Sequence, residues 1–241
     1  MRFNIVTIFP EVFDSFLNSS IVKKAIDNGN LEVKIYNFRD FSSANNKSVD
    51  DTSYGGGAGM VLQVEPIHKC LQSISNPGKI IALTPTGEKF DDQMATTFAK
   101  IDEITILCGH YEGFDERVYN YVDLEVSIGD YVLTGGEVAA FVLIDAITRK
   151  VEGVIKKASV DNDSFAQGLL DYPVYTKPVE YDGNRVPDVL LSGNHQEIDK
   201  YRYEMALEKT LLRRRDLIDK NMINIDQVVL EKIKERNKGE L

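Results

Sequence analysis

Residues 104–137 read ITILCGHYEGFDERVYNYVDLEVSIGDYVLTGGE, and this stretch decides the fold. Two short β-rich runs, Ile104–Cys108 and Leu124–Ile128, each end in a glycine-containing loop. The second loop feeds directly into a strongly apolar helix expected over Glu137–Arg149. Strand, loop and helix repeated at this spacing predict parallel strands with helices covering both faces. Three further runs, Phe3–Ile8, Leu31–Phe38 and Lys79–Leu83, have the same character, with helical patterns between most of them. The expectation is an α/β fold with a mostly parallel sheet, a class that takes its ligands at the carboxyl ends of the strands.

After Gly153 the pattern dissolves. Pro173, Pro178 and Pro187, with Gly168, Gly183 and Gly193, suit an extended segment with one short turn at Ser164–Leu170. Asn194 with Glu197 resembles a capping pair for a helix reaching about Asp219, and a last helix is expected over Ile225–Arg236. The division expected is an α/β domain at 1–157, a linker at 158–193 and a small all-helical domain at 194–241.

The 241 residues are 43% apolar, enough for one substantial core and a smaller appended unit. Cys70 and Cys108 both sit in apolar stretches, which disfavours a disulfide framework or a multi-cysteine zinc site and fits a reducing cytoplasm. The N-terminal apolar run is broken at Pro10 and Glu11, and the run Val138–Ile144 ends at Asp145, so neither a signal peptide nor a membrane span is expected. A net charge of −10 argues at first against a polyanionic partner. The distribution matters more. From Tyr172 onward 13 Lys and Arg meet 13 Asp and Glu, so the whole imbalance lies in residues 1–171. Lys200, Arg202, Lys209, Arg213, Arg214 and Arg215 are opposed within their stretch only by Glu204 and Glu208, which suggests a face turned toward phosphates. Arg202, Lys209 and Arg213 share one side of a helix at this spacing.

Three glycine loops stand out: Tyr54–Met60, Cys108–Arg117 and Ser127–Glu137. Neither G-x-G-x-x-G nor G-x-x-x-x-G-K-[ST] is present, which disfavours a dinucleotide or P-loop enzyme. Taken singly, each loop reads as a turn, with Asp115, Glu116 and Glu137 as favourable charges in a first helical turn. Together they offer backbone-exposing surfaces for a ligand recognised by main-chain groups. His68, His110 and His195 lack metal-ligand spacing, so no zinc or iron site is expected.

LTPTGEKF at 83–90, CGHYEGFDERV at 108–118, SIGDYVLTGGE at 127–137, DNDSFAQGLLDYPVYTKP at 161–178 and LLSGNHQEI at 190–198 occur in series. In that order and spacing the chain resembles the TrmD family of bacterial tRNA (guanine-N1)-methyltransferases, of the SpoU–TrmD (SPOUT) class. The resemblance implies a C-terminal trefoil knot in the sheet domain and a homodimer with active sites at the subunit interface. It implies methyl transfer from S-adenosylmethionine to N1 of the guanosine on the 3′ side of the tRNA anticodon. Residue by residue, it places the donor at Pro85, Gly109, Glu112, Ile128, Gly129, Asp130, Tyr131, Val132, Leu133 and Gly135. It makes Asp163 the general base and Arg149 the group that stabilises O6. Asp50, Ser159, Arg202, Lys209 and Arg213 become tRNA-binding candidates, and Mg²⁺ dependence is implied without identified ligands. Where the family usually carries proline the chain has Ser53 and Ala58, so its first glycine loop is expected to be looser. His110 replaces a usual arginine, so a tRNA contact there is not carried over. Two other classes compete: an oxidoreductase on a doubly wound sheet, disfavoured by the missing fingerprint, and a noncatalytic RNA-binding module, which leaves the glycine loops unused.

Overall fold

The computed structural model describes residues 1–156, 160, 163–221 and 223–237. The chain divides into two compact units, Met1–Lys156 and Lys157–Leu241.

The first unit is built on β1 (Arg2–Thr7), α1 (Asp14–Leu17), α2 (Ser20–Asp27), β2 (Glu32–Asn37), β3 (Asp50–Thr52), β4 (Met60–Leu62) and α3 (Val64–Ser73). There follow β5 (Lys79–Lys89), α4 (Asp92–Phe98), β6 (Glu103–Leu107), β7 (Leu124–Ser127) and α5 (Glu137–Thr148). All five expected strands join one sheet in the order β2-β1-β6-β5-β7, and every pairing within it is parallel. The central strands β1 and β6 are buried almost throughout, which their continuous β-branched runs require. At the edge, β2 keeps Glu32 and Lys34 near solvent, where charge discourages pairing with another chain.

Side chains alternate across the sheet. Phe3, Ile5, Ile104 and Ile106 face a core closed by α2, α4 and α5, while Val6, Ala82 and Leu107 face a second core closed by α3 and Phe38. Each fully buried side chain of this size contributes roughly 1.5–3 kcal/mol, so the two cores anchor the strand ends that carry the loops. Burial also disposes of both cysteines as nucleophiles. The Cys70 thiol is pushed up to about 12 by burial and the nearby Asp40, and the Cys108 thiol well above its ordinary value by burial and Glu137.

In the second unit, β8 (Glu180–Tyr181) and β9 (Asn184–Arg185) form a hairpin. Then come α6 (Asp188–Leu191), α7 (His195–Arg213), α8 (Arg215–Asn221) and α9 (Gln227–Arg236). Leu207, Leu211, Ile218 and Ile233 make its core. The buried Glu204 meets Lys232 at 2.6 Å and Arg236 at 3.7 Å, and Glu208 meets Arg236 at 2.7 Å. The acids that oppose the basic stretch in sequence are therefore neutralised by the last helix.

Four expectations change. The helix expected to reach Asp219 breaks at Arg214 (φ −145°, ψ 55°), whose guanidinium instead forms a fork with Asp216 at 2.9 and 2.8 Å. The helix after the second glycine loop is a 3₁₀ segment, Glu116–Tyr121, because β7 begins at Leu124 and leaves no room for more turns. The segment expected to be an extended linker holds the β8–β9 hairpin, turned by Asp182 and Gly183 at φ 51° and 73°. The first glycine loop, expected with the other two to present backbone to one ligand, is the tip of an antiparallel hairpin of β3 and β4 and lines no part of the cavity described below. Among the described residues, no helix is long and apolar enough to cross a membrane.

Candidate active site

Strands β6, β5 and β7 are neighbours, and the segments leaving them surround a cavity of about 700 Å³. That volume falls within the roughly 300–1,000 Å³ of small-molecule sites.

The first wall comes from an irregularity inside β5. Its register against β7 shifts between Leu83 and Glu88, so Thr84, Pro85, Thr86 and Gly87 bulge out of the ladder. Thr84 and Thr86 share a 2.9 Å hydroxyl contact, and the Thr86 hydroxyl donates to Glu125 at 2.9 Å. Gly87 lies so close to β7 that a Cβ there would stand 2.4 Å from the Val126 nitrogen.

The second wall is Gly109–Phe114. Three backbone bonds dock it on the β3–β4 hairpin: Leu62 N–H to Gly113 O, Glu112 N–H to Met60 O and Asp115 N–H to Leu62 O. Asp115 then caps the 3₁₀ segment by accepting the Arg117 amide at 2.9 Å, and its fork with the Arg117 side chain holds its carboxyl below the usual range.

The third wall runs from Ser127 to Gly136. Gly129 adopts φ 147°, and the Tyr131 amide donates back to its carbonyl at 3.0 Å. Around this fold-back, Ile128, Gly129, Tyr131, Val132 and Leu133 line the cavity. The second and third walls touch where the Gly136 amide donates to Gly109 O at 2.8 Å, with a would-be Gly136 Cβ only 2.8 Å from the Cys108 Cα.

A family model described as tRNA (Guanine-1)-methyltransferase TrmD matches residues 1–220. The chain belongs to the TrmD family. A protein of Metamycoplasma arthritidis named tRNA (guanine-N(1)-)-methyltransferase is 53% identical over 221 residues, covering 91% of this chain and 96% of its own length. Proteins of the same name from Mycoplasma capricolum and Lactobacillus delbrueckii are 47% and 48% identical over all of this chain, covering 100% and 98% of their own lengths.

Of the ten donor positions suggested by likeness to TrmD, Pro85, Gly109, Glu112, Ile128, Gly129, Tyr131, Val132, Leu133 and Gly135 line the cavity. Asp130 does not. Its side chain is 96% exposed and 3.9 Å from Lys89, so its charge is screened by water. Asp50 lies on β3 and pairs with Leu62, while the tip beyond it, with Tyr54 fully exposed, stays out of the cavity lining. Sequence reading overlooked Thr84, Thr86, Tyr119 and His110 as lining residues; Thr84 and Thr86 lie within the quoted LTPTGEKF motif and His110 within CGHYEGFDERV.

Arg149 caps the carboxyl end of α5, its amide bonded to Asp145 O at 3.1 Å. In the second unit, Asp163 lines a cleft of about 450 Å³ together with Tyr172, Asp199 and Arg202. There the Arg202 guanidinium stacks over the Tyr172 ring at 5.0 Å, and Lys209 donates to Asp171 O at 3.0 Å. Arg213 is exposed at the end of α7. Ser159 and Asp161 lie outside the described residues. Among the described residues, no group of three or more His, Cys, Asp or Glu is arranged to hold a metal ion.

Proposed function

We propose that the protein is a tRNA methyltransferase that uses S-adenosylmethionine to methylate N1 of the guanosine on the 3′ side of the anticodon. One observation carries the reading. A chain that matches the TrmD family over residues 1–220 carries a cavity of about 700 Å³ lined by segments that leave or interrupt the adjacent strands β6, β5 and β7.

The residues present fit the donor. Main-chain amides and carbonyls of 128, 129 and 131–133 are suited to an adenine edge, and Glu112 brings a carboxyl to the rim near a cationic sulfonium. When bound, the donor supplies an electrophilic methyl group. The protein's remaining task is to make N1 of guanine nucleophilic. That nitrogen carries a proton, so Asp163 accepts it as general base. Negative charge then moves toward O6, where Arg149 offers a permanently cationic planar donor.

The tRNA is held by Arg213, Lys209 and Arg202 of α7, with Asp50 and Ser159 as further tRNA-binding residues. Lys209 and Arg202 must exchange their present partners, Asp171 O and Tyr172, for phosphate. Mg²⁺, if bound, would screen charge between donor and tRNA, but among the described residues no group of three or more His, Cys, Asp or Glu is arranged to hold it. The proposal includes a trefoil knot, supported by membership of the TrmD family. It also includes a homodimer with shared sites, supported by Val138 and Val142, which stay 54% and 43% exposed on the otherwise buried apolar α5. Such an enzyme works in the cytoplasm.

The test is methyl transfer from labelled S-adenosylmethionine to bulk unmodified tRNA, followed by identification of the modified nucleoside. The expected product is 1-methylguanosine. Label in another nucleoside, or none, rejects the reading.

A further inference from the structure

Gly129 and Gly135 border the same cavity but are glycine for different reasons. At Gly129 the backbone itself demands it, with φ at 147°. Gly135 has no such conformation. A Cβ built there would lie 2.0 Å from His110 Nε2, 2.3 Å from His110 Cε1 and 2.7 Å from Glu137 Oε2. What excludes a side chain at 135 is the pair His110–Glu137.

That pair is tightly held. Nε2 of His110 lies 2.6 Å from Oε2 of Glu137, and the Thr7 hydroxyl donates to Oε1 of the same carboxyl at 2.6 Å. Glu137 is 4% exposed, so both its oxygens depend on protein partners. The Phe9 ring meets the imidazole edge-on at 4.7 Å, which leaves it little freedom to swing away. Thr7 ends the central strand β1, Glu137 opens α5, and His110 belongs to the second cavity wall, where it forms a bridge with Gly135 of the third. A hydrogen-bonded chain thus runs from the sheet, through the first turn of α5, to the seam between two ligand-facing loops.

We propose that His110 and Glu137 are positioning residues that fix the spacing of the second and third walls and thereby impose glycine at position 135. Neither is assigned contact with the reacting atoms. Their effect is on donor affinity, exerted through the backbone of Gly109 and Gly135. The inference rests on the cavity being the donor site.

The experiment is calorimetric titration with S-adenosylmethionine of the unaltered protein, Gly135→Ala, His110→Ala, the double variant, His110→Gln and Glu137→Gln, with melting temperatures alongside. Gly135→Ala and His110→Ala are each expected to weaken binding on the order of tenfold, the scale of one lost buried hydrogen bond. The double variant should bind no worse than Gly135→Ala alone, because the added methyl occupies space the imidazole has left. His110→Gln, which can still reach Glu137 with an N–H, should recover part of the loss seen in His110→Ala. Glu137→Gln keeps volume, guards against an unfolded Gly135 variant, and should raise the dissociation constant for the donor severalfold in the same titration, while a parallel titration with tRNA stays unchanged. If the two single losses multiply in the double variant, position 135 answers to the ligand and the inference is overturned. Equal losses for His110→Gln and His110→Ala overturn it as well. If the unaltered protein fails to bind S-adenosylmethionine, the donor-site reading falls and takes this inference with it.

Discussion

The cavity of the first unit and the cleft of the second recognise by different means. The first is shaped by a bulge, a docked loop and a folded-back turn carried on the adjacent strands β5, β6 and β7, with glycines packed hard against their neighbours. The second is lined by side chains, Asp163, Tyr172, Asp199 and Arg202, set on one helix and a turn-rich segment. Tightly packed glycine turns fix shape and tolerate almost no added atoms, whereas side-chain walls fix charge and proton affinity. Substitutions that add volume at the glycine turns should therefore injure donor binding, and substitutions that alter charge in the cleft should injure proton transfer and tRNA binding.

The largest effect is expected at Asp163. Asp163→Asn keeps the shape of the side chain but cannot take a proton at neutral pH. Single-turnover methyl transfer should fall roughly 10²–10⁴-fold, the usual contribution of a general base, with donor and tRNA binding near normal. Transfer at close to the parent rate, with both ligands saturating, would remove Asp163 from the chemistry. Asp161→Asn serves as the active control.

Next comes Gly129→Val. A β-branched residue cannot hold φ 147°, and its Cβ would press to 2.7 Å from the Tyr131 ring. Donor affinity should fall roughly tenfold or more, following about 1–3 kcal/mol of backbone strain. Circular dichroism should still show a folded protein. Normal binding by a folded variant would sever this loop from the donor. Mixed dimers of Gly129→Val and Asp163→Asn chains should regain part of the activity if each site draws on both subunits; no recovery counts against sharing.

The smallest effect belongs to the basic face. Replacing Arg202, Lys209 and Arg213 together with alanine should lower tRNA affinity and flatten its log–log salt dependence by about three at most, at roughly 0.7–0.9 per phosphate contact. Because Lys209 and Arg202 already have partners in the protein, a smaller change carried mainly by Arg213 also fits. An unchanged slope would leave the face as solvated surface, and any loss of donor binding would blur the division between the units.

The same contrast governs what could be read from sequence. The sheet strands were legible because burial on both faces forces unbroken β-rich runs such as FNIVT and ITIL. The loops at 108–117 and 127–137 were legible as glycine turns after strands. The bulge at 84–87 was not, because it exists only as a mismatch of register between β5 and β7, two segments far apart in sequence. Likewise, no local signal ties Gly135 to His110, which depends on α5 carrying Glu137 against β1. The Asp182-Gly183 turn was a readable hairpin signal, obscured by the surrounding prolines. The first glycine loop misled in the other direction: four glycines mark a hairpin tip rather than a cavity wall. The pattern around α7 did not reveal the break at Arg214, which depends on a side-chain fork to Asp216 that helix propensity does not encode.

The central claim is that three strand-end segments, and not the first glycine loop, hold the methyl donor. Backbone hydrogen–deuterium exchange with and without S-adenosylmethionine reads it directly, since a ligand gripped by main-chain groups slows the opening of those groups. The account predicts slower exchange at 83–87, 109–113 and 128–136 and no change at 54–59. Protection centred on 54–59, or absent from all three strand-end segments while the donor is bound, would contradict it.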